Sequence, residues 1–349
     1  MSASTLTGPT APVPADRTAG RPATARRSRG PRGVLWLSWQ QSRVAVRTMA
    51  VPAVLTALIL IALHFLIQDR AELMRQAGCD FSVEWSRECL VRYGRLEMLL
   101  RMFTDILQPA ITAVPVMLGA FLGGPLLAQE YERGTLRMVL AQSVSPGRWL
   151  AARLAVPGAA VLLLSTVVAG LTSWVWWSDV VHRRGAFGAF DPPFQGFTYP
   201  VLGVVPVAWS LFGLALGVLV GQLLRRTVAA VLAGGAAVAL AHTAMIVLRP
   251  SLWPVTEREQ PYNNTLGGFR QPTNAWLVDH GVVLADGTRM TSGECVRSSE
   301  VCAAAPTSWG RFHPVSHFVP IQLVEAGLLL ALTAVVVVVV FRRLTRAGI

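Results

Sequence analysis

Two groups of residues in this 349-residue chain have the types and spacing for chemistry. The first is a run of charge, Glu130, Glu132, Arg133, Arg137 and Arg148, between an apolar stretch ending near Leu127 and another beginning near Ala151. Charge at that density is too costly for hydrocarbon and must face water. Thr135, after Gly134, can cap a helix of about two turns with Leu136, Val139 and Leu140 on one face. Ser145 and Pro146 then read as the N-cap and first helical position of the next apolar stretch. The product is a small amphipathic helix pinned at both ends and offered to a partner. The second group is Glu325, the one acid placed inside an apolar stretch, with Gln322 a turn before it. A carboxylate in a bilayer is expensive and is a functional candidate by default. A partnered structural glutamate is the competing reading.

Other constellations carry less. His313 and His317 have metal-ligand spacing, but Pro314 lies between them and no third ligand is evident, so no metal is expected. His64 and His242 each stand alone in an apolar stretch, and a hydrogen bond to a neighbouring helix is the reading there ahead of a proton relay. Cys79, Cys89, Cys295 and Cys302 all fall outside the apolar stretches, where an oxidising compartment favours disulfides. Four cysteines allow three pairings, and the local pairs Cys79–Cys89 and Cys295–Cys302 are the expected ones. No Gly-x-Ser-x-Gly, no His-Glu-x-x-His and no convergent carboxylate pair lies in the apolar stretches, which argues against an intramembrane enzyme. All 31 basic residues are arginine. A Walker A loop needs a lysine, so if ATP drives this chain, ATP and its magnesium are bound by another polypeptide and no cofactor by this one.

These residues must be positioned by membrane helices. At 53% hydrophobic and 14% charged the chain is too apolar for a soluble protein. Six stretches can each cross ~30 Å of hydrocarbon: near Met49–Ile67, Ile106–Leu127, Ala151–Trp177, Tyr199–Leu224, Val228–Val247 and Ile321–Phe341. The formal charge of +12 would suit nucleic acid in a soluble protein, but its distribution opposes that. Arginine concentrates in the N-terminal tail, the connections 128–153 and 223–227, and the C-terminus. That asymmetry is the positive-inside pattern, and it predicts both termini in the cytoplasm. The expected fold class is therefore an all-α integral membrane protein of the cell membrane, with external segments 68–105 and 249–320.

Residues 1–32, rich in Ala, Pro, Thr and Arg, read as a disordered cytosolic tail. Residues 34–47, with Trp36 and Trp39 three apart, read as an interfacial amphipathic helix preceding the first span. The second span holds Pro115 and Pro125, which can bend it, and Gly119, Gly123 and Gly124, which allow close packing. Gly213, Gly217 and Gly221 give the fourth span a small-residue face that suits either a dimer seam or an internal contact. Val282 to Met290 reads as a β-hairpin about Asp286-Gly287. Asn263-Asn264-Thr265 matches a glycosylation sequon and is given no weight.

The run from Gly124 through Gln129, Glu130, Tyr131, Glu132, Arg133, Gly134 and Thr135, continued by Gln142-Ser143-Val144 and Arg148-Trp149, resembles the connection between the second and third spans of type-2 ABC permeases. The likeness is greatest to the six-span permeases of high-GC Gram-positive bacteria. Residues 313–325 resemble the family's approach to its last span, although His317, Val319 and Leu323 replace residues usual there. The resemblance implies a coupling helix that docks on a soluble ATPase subunit through Glu130, Glu132, Arg133, Gly134, Thr135, Arg137, Gln142, Ser143, Arg148 and Trp149. It also implies a second permease subunit, identical or not, and no nucleic acid partner. The expected function is the membrane-spanning subunit of an ABC exporter; a secondary transporter or an intramembrane enzyme is the alternative.

Overall fold

A chain that buries its backbone in lipid must satisfy every amide within itself, and the helix does this locally. Six helices among the described residues are long and apolar enough to cross a membrane. The structure, a computed structural model, describes residues 32–79, 86–134, 145–178, 193, 194, 196–262 and 268–346, without the side chains of 32–38 and 41. The tail expected over 1–32, apart from Arg32, lies outside these residues, as does the Asn263 sequon.

Helix α1 runs Arg32–Gln76 without interruption. The separate interfacial helix expected at 34–47 is thus the first part of the same helix that forms the span. At 1.5 Å per residue, α1 is about 67 Å long and overshoots the hydrocarbon. Helix α2 spans Arg87–Glu132. Most of the segment expected as external at 68–105 is therefore helix, carried past the apolar stretches by Glu72–Arg75, Glu88–Arg92 and Glu97–Arg101 pairs one turn apart. A Cys79–Cys89 disulfide closes the hairpin between α1 and α2.

Helix α2 contains two π-helical segments, Met102–Leu107 and Leu118–Gly123. Each ends two residues before a proline. The amides of Gln108 and Gly124 reach back five residues, to Phe103 and Gly119. Pro109 and Pro125 cannot donate and their rings crowd the carbonyl four residues earlier, so a wider turn beforehand relieves the clash.

Helices α3 (Pro146–Trp176), α4 (Val205–Leu224) and α5 (Thr227–Leu248) follow. The glycine face of α4 settles against α2 of the same chain. A β-carbon on Gly217 would collide with the carbonyl of Gly119, and one on Gly213 with that of Pro115. The face is an internal contact, close enough for backbone to touch backbone.

Between α5 and the last span lies more than the expected hairpin. Strands β1 (Thr256–Pro261), β2 (Trp276–Val283), β3 (Arg289–Thr291) and β4 (Thr307–His313) form an antiparallel sheet in the order β1-β4-β2-β3. Strands β2 and β3 join across 284–288, where Gly287 takes φ 84°. Short helices α6 (Ser292–Cys295) and α7 (Ser299–Ala303) follow β3, linked by a Cys295–Cys302 disulfide. Neither extra strand alternates: β1 is almost wholly exposed and polar, and β4 is mostly buried on both faces. Helix α8 (Phe318–Arg346) ends the described chain.

The bundle has two ends. One cluster joins Ala45 and Met49 of α1 to Leu127, Leu150, Val218 and Leu344, so the start of α1, the end of α8 and the arginine-rich connections share an end. The sheet sits at the other, where Phe194, Trp276, His313 and Phe318 interlock with ring centroids 5.4 to 6.4 Å apart.

Candidate functional site

At the connection end, α2 terminates on Gly134, whose φ of 68° suits a residue without a β-carbon. Arg133 and Gly134 are exposed. Thr135, Arg137, Gln142 and Ser143, and with them the expected amphipathic helix, lie outside the described residues. Beyond them Ser145 takes the extended backbone of an N-cap before Pro146, with no side-chain bond to the helix. Arg148 is exposed, and Trp149 packs against the core.

The acids flanking this connection bond to neighbouring helices, Glu130 shielded and Glu132 exposed. Glu130 pairs with Arg153 of α3 at 3.3 Å, both largely shielded from solvent. Oε2 of Glu132 accepts from the Thr227 amide at 2.9 Å and from its hydroxyl at 2.5 Å. The Arg225 guanidinium lies 5.1 Å from the centroid of the Tyr131 ring. In the sequence Arg225 only marks the expected cytosolic end of the fourth span, and neither Arg153 nor Thr227 stands out. The legible signal was Arg225-Arg226 followed by a helix-starting threonine with no acid of its own nearby.

The second group, Glu325 and Gln322, lies at the sheet end. Glu325 is fully buried and held at both oxygens. Arg249 donates from Nε at 2.9 Å and from Nη2 at 3.2 Å, and the Trp209 indole donates at 3.0 Å. Arg249 is itself 4% exposed and stacks on Tyr199, 3.9 Å from the ring centroid. Buried charges persist when paired and hydrogen-bonded, and this one is paired bidentately. The carboxylate is therefore the partnered kind rather than a free one. The sequence places Arg249 first in the external segment 249–320, and its clue is a cation directly after an apolar run and before a proline.

Gln322 has a different task. Its Oε1 accepts from the amides of Val204 and Val205, each at 3.2 Å, and its Nε2 donates to the Tyr199 carbonyl at 3.3 Å. The first amides of any helix lack partners, and α4 begins on valines that cannot supply one. A side chain of α8 thus caps α4 from outside, as Glu132 of α2 caps α5 at the opposite end.

His313 joins the sheet to the spans. Its Nε2 lies 3.1 Å from the Pro250 carbonyl and its Nδ1 3.3 Å from Nδ1 of His317. A carbonyl only accepts, so the His313 proton belongs on Nε2 and its Nδ1 accepts from His317. Burial pushes the His313 pKa below its ordinary value, with the neighbouring His317 acting in the same direction. Neither His64, stacked on Trp174 at 3.6 Å, nor His242, 4.8 Å from the Trp209 ring, is solitary. No group of three or more metal-ligating side chains occurs among the described residues.

No curated protein and no solved structure matches the chain. A family model, ABC-2 membrane transporter related, matches residues 37–249, which is well over half of the sequence and includes the first five spans and the connection between α2 and α3. The chain belongs to the ABC-2 membrane transporter related family and is a multi-pass membrane protein, a transport subunit rather than an ATPase.

Proposed function

We propose that this chain is the membrane-spanning permease of an ATP-driven exporter in a bacterial cell membrane. The arginine-rich connection end faces the cytosol, and the sheet and both disulfides lie outside. A soluble ATPase subunit carries ATP and magnesium and docks on the 135–144 connection. Two permease subunits and two ATPase subunits make the transporter. ATP must favour one arrangement of the spans over another, because a ligand shifts an equilibrium only by its differential affinity.

The observation that carries this reading is the family match, which runs through the connection and the five spans around it. The absence of lysine agrees, since the chain has no residue for a Walker A loop of its own. The engagement of Glu325 by Arg249 weighs against a proton-coupled carrier, for which a free intramembrane carboxylate would be wanted.

The test is sidedness together with energy source. Arg137→Cys in membrane vesicles is expected to react with an impermeant maleimide only when the cytosolic face is outward. The chain isolated from its native membrane is expected to bring with it a vanadate-sensitive ATPase. Labelling from the outer face, or isolation without any ATPase, would sink the reading.

A further inference from the structure

The turn between α4 and α5 is held more firmly than a link between two helices requires. Helix α5 starts after Arg226, whose side chain makes no cap. The cap comes from Glu132, through both the amide and the hydroxyl of Thr227. Arg225, beside it, adopts a left-handed backbone with φ 56° while its guanidinium covers the Tyr131 ring. Deeper in the bundle, a β-carbon on Gly124 would stand 2.8 Å from the Ala230 carbonyl oxygen, and one on Gly221 would collide with the carbonyl of Gly124. The ends of α2, α4 and α5 therefore meet backbone to backbone, and Glu132 stands three residues before the 135–144 connection.

We infer that Glu132 is a positioning residue that ties the turn Arg225–Thr227 to the end of α2, so that a displacement delivered to the 135–144 connection moves α2, α4 and α5 as one body. This rests on the reading of that connection as the ATPase docking segment and adds which spans it drives. Glu132 then acts inside the permease rather than as a free charge offered to the ATPase. A carboxylate suits the place, since it accepts both donors of Thr227 at the positive end of α5 and beside two arginines.

All four native cysteines are in disulfides, so Glu132→Cys with Thr227→Cys introduces the reactive thiol pair. The pair is to be joined by a short bifunctional thiol reagent, and ATP hydrolysis read from the ATPase that co-isolates with the chain. The unlinked double variant is expected to lose about fivefold or more of that hydrolysis, and the linked one to return to within about twofold of the unaltered chain. Glu132→Gln, which keeps an acceptor oxygen but not the charge, is expected to retain more of that hydrolysis than the unlinked double variant, and a loss as large would overturn the inference. A linked chain that remains inactive shows that the joint must open. A double variant equally active linked and unlinked shows that the joint transmits nothing. Either result overturns the inference. Deuterium exchange in the purified chain, without ATP, judges the contact separately. Amides 227–230 should exchange about tenfold faster in Glu132→Ala than in the unaltered chain, and equal exchange overturns the contact. An unaltered chain that carries no ATPase sinks the docking reading while leaving the exchange result to decide on the joint.

Discussion

At the scale of single residues, burial decides what each charged group does. Arg249 and Glu325 are removed from solvent together, so the penalty for dehydrating each is offset by the other and by Trp209. Removing one partner strands the other. Glu325→Ala or Arg249→Ala is expected to cost about 3–5 kcal/mol of stability, whereas replacing both with apolar residues of similar volume should restore most of it. Unfolding of the purified chain in mixed micelles measures this, and a double variant as unstable as either single one would contradict it. His313 makes a second residue-scale case. It is buried neutral, and its folded pKa lies below the ordinary 6.5 while the unfolded chain titrates at that value. The unfolded state therefore binds more protons at low pH. The stability that neutral His313 contributes is complete above 6.5 and is lost as pH falls through its folded pKa. Thermal stability should drop between about pH 7.5 and about pH 5.5 and do so less steeply in His313→Asn. Identical slopes for the two proteins would count against this assignment.

At the scale of elements, the recurring device is a helix capped by a side chain from a different helix. Gln322 closes α4 and Glu132 closes α5, so each element's end is tied to a neighbour rather than to its own sequence. The apolar stretches and their approximate limits were legible in the sequence because hydrocarbon thickness sets their length. Neither cap was, because an in-trans cap leaves no local signature such as a Ser or Asp at the N-cap. The glycine face of α4 was legible as a contact but not as to its partner. Its internal use makes a direct prediction. Gly217→Val places atoms against the Gly119 carbonyl and is expected to cost about 1–3 kcal/mol or to prevent folding altogether. Gly158→Ala in α3, where a β-carbon meets nothing within 4 Å, is expected to be harmless. The recovery of each variant as a monodisperse species after detergent extraction is the measurement, and equal recovery would refute the close-packing account.

At the scale of the molecule, the polar ties sort to the two ends. Glu130–Arg153, Glu132–Thr227 and the Arg225–Tyr131 contact gather at the connection end; Arg249–Glu325, Gln322 with α4, and His313 with Pro250 gather beneath the sheet. Between them the spans are joined chiefly by apolar side chains and glycine backbones. In a bilayer such surfaces have no hydrophobic drive toward one another, so close backbone approach and the terminal polar contacts must specify how the spans are arranged. An arrangement with its specific ties at the two ends suits a subunit that passes displacement along rigid helices.

Six apolar helices, their alternating direction, the arginine-rich end and the lack of a lysine for a Walker A loop are all legible in the amino-acid sequence. Each follows from local composition measured against a fixed hydrocarbon thickness or a fixed chemical requirement, and none depends on which helix neighbours which. Tertiary structure alone decided that Glu325 faces Arg249, that Glu132 faces Thr227, that the α4 glycines meet α2, and that four strands make one sheet. Apart from the β2–β3 hairpin, those pairings join residues 24 to 98 positions apart, and a chain's local pattern carries no record of which distant partner folding brings to it.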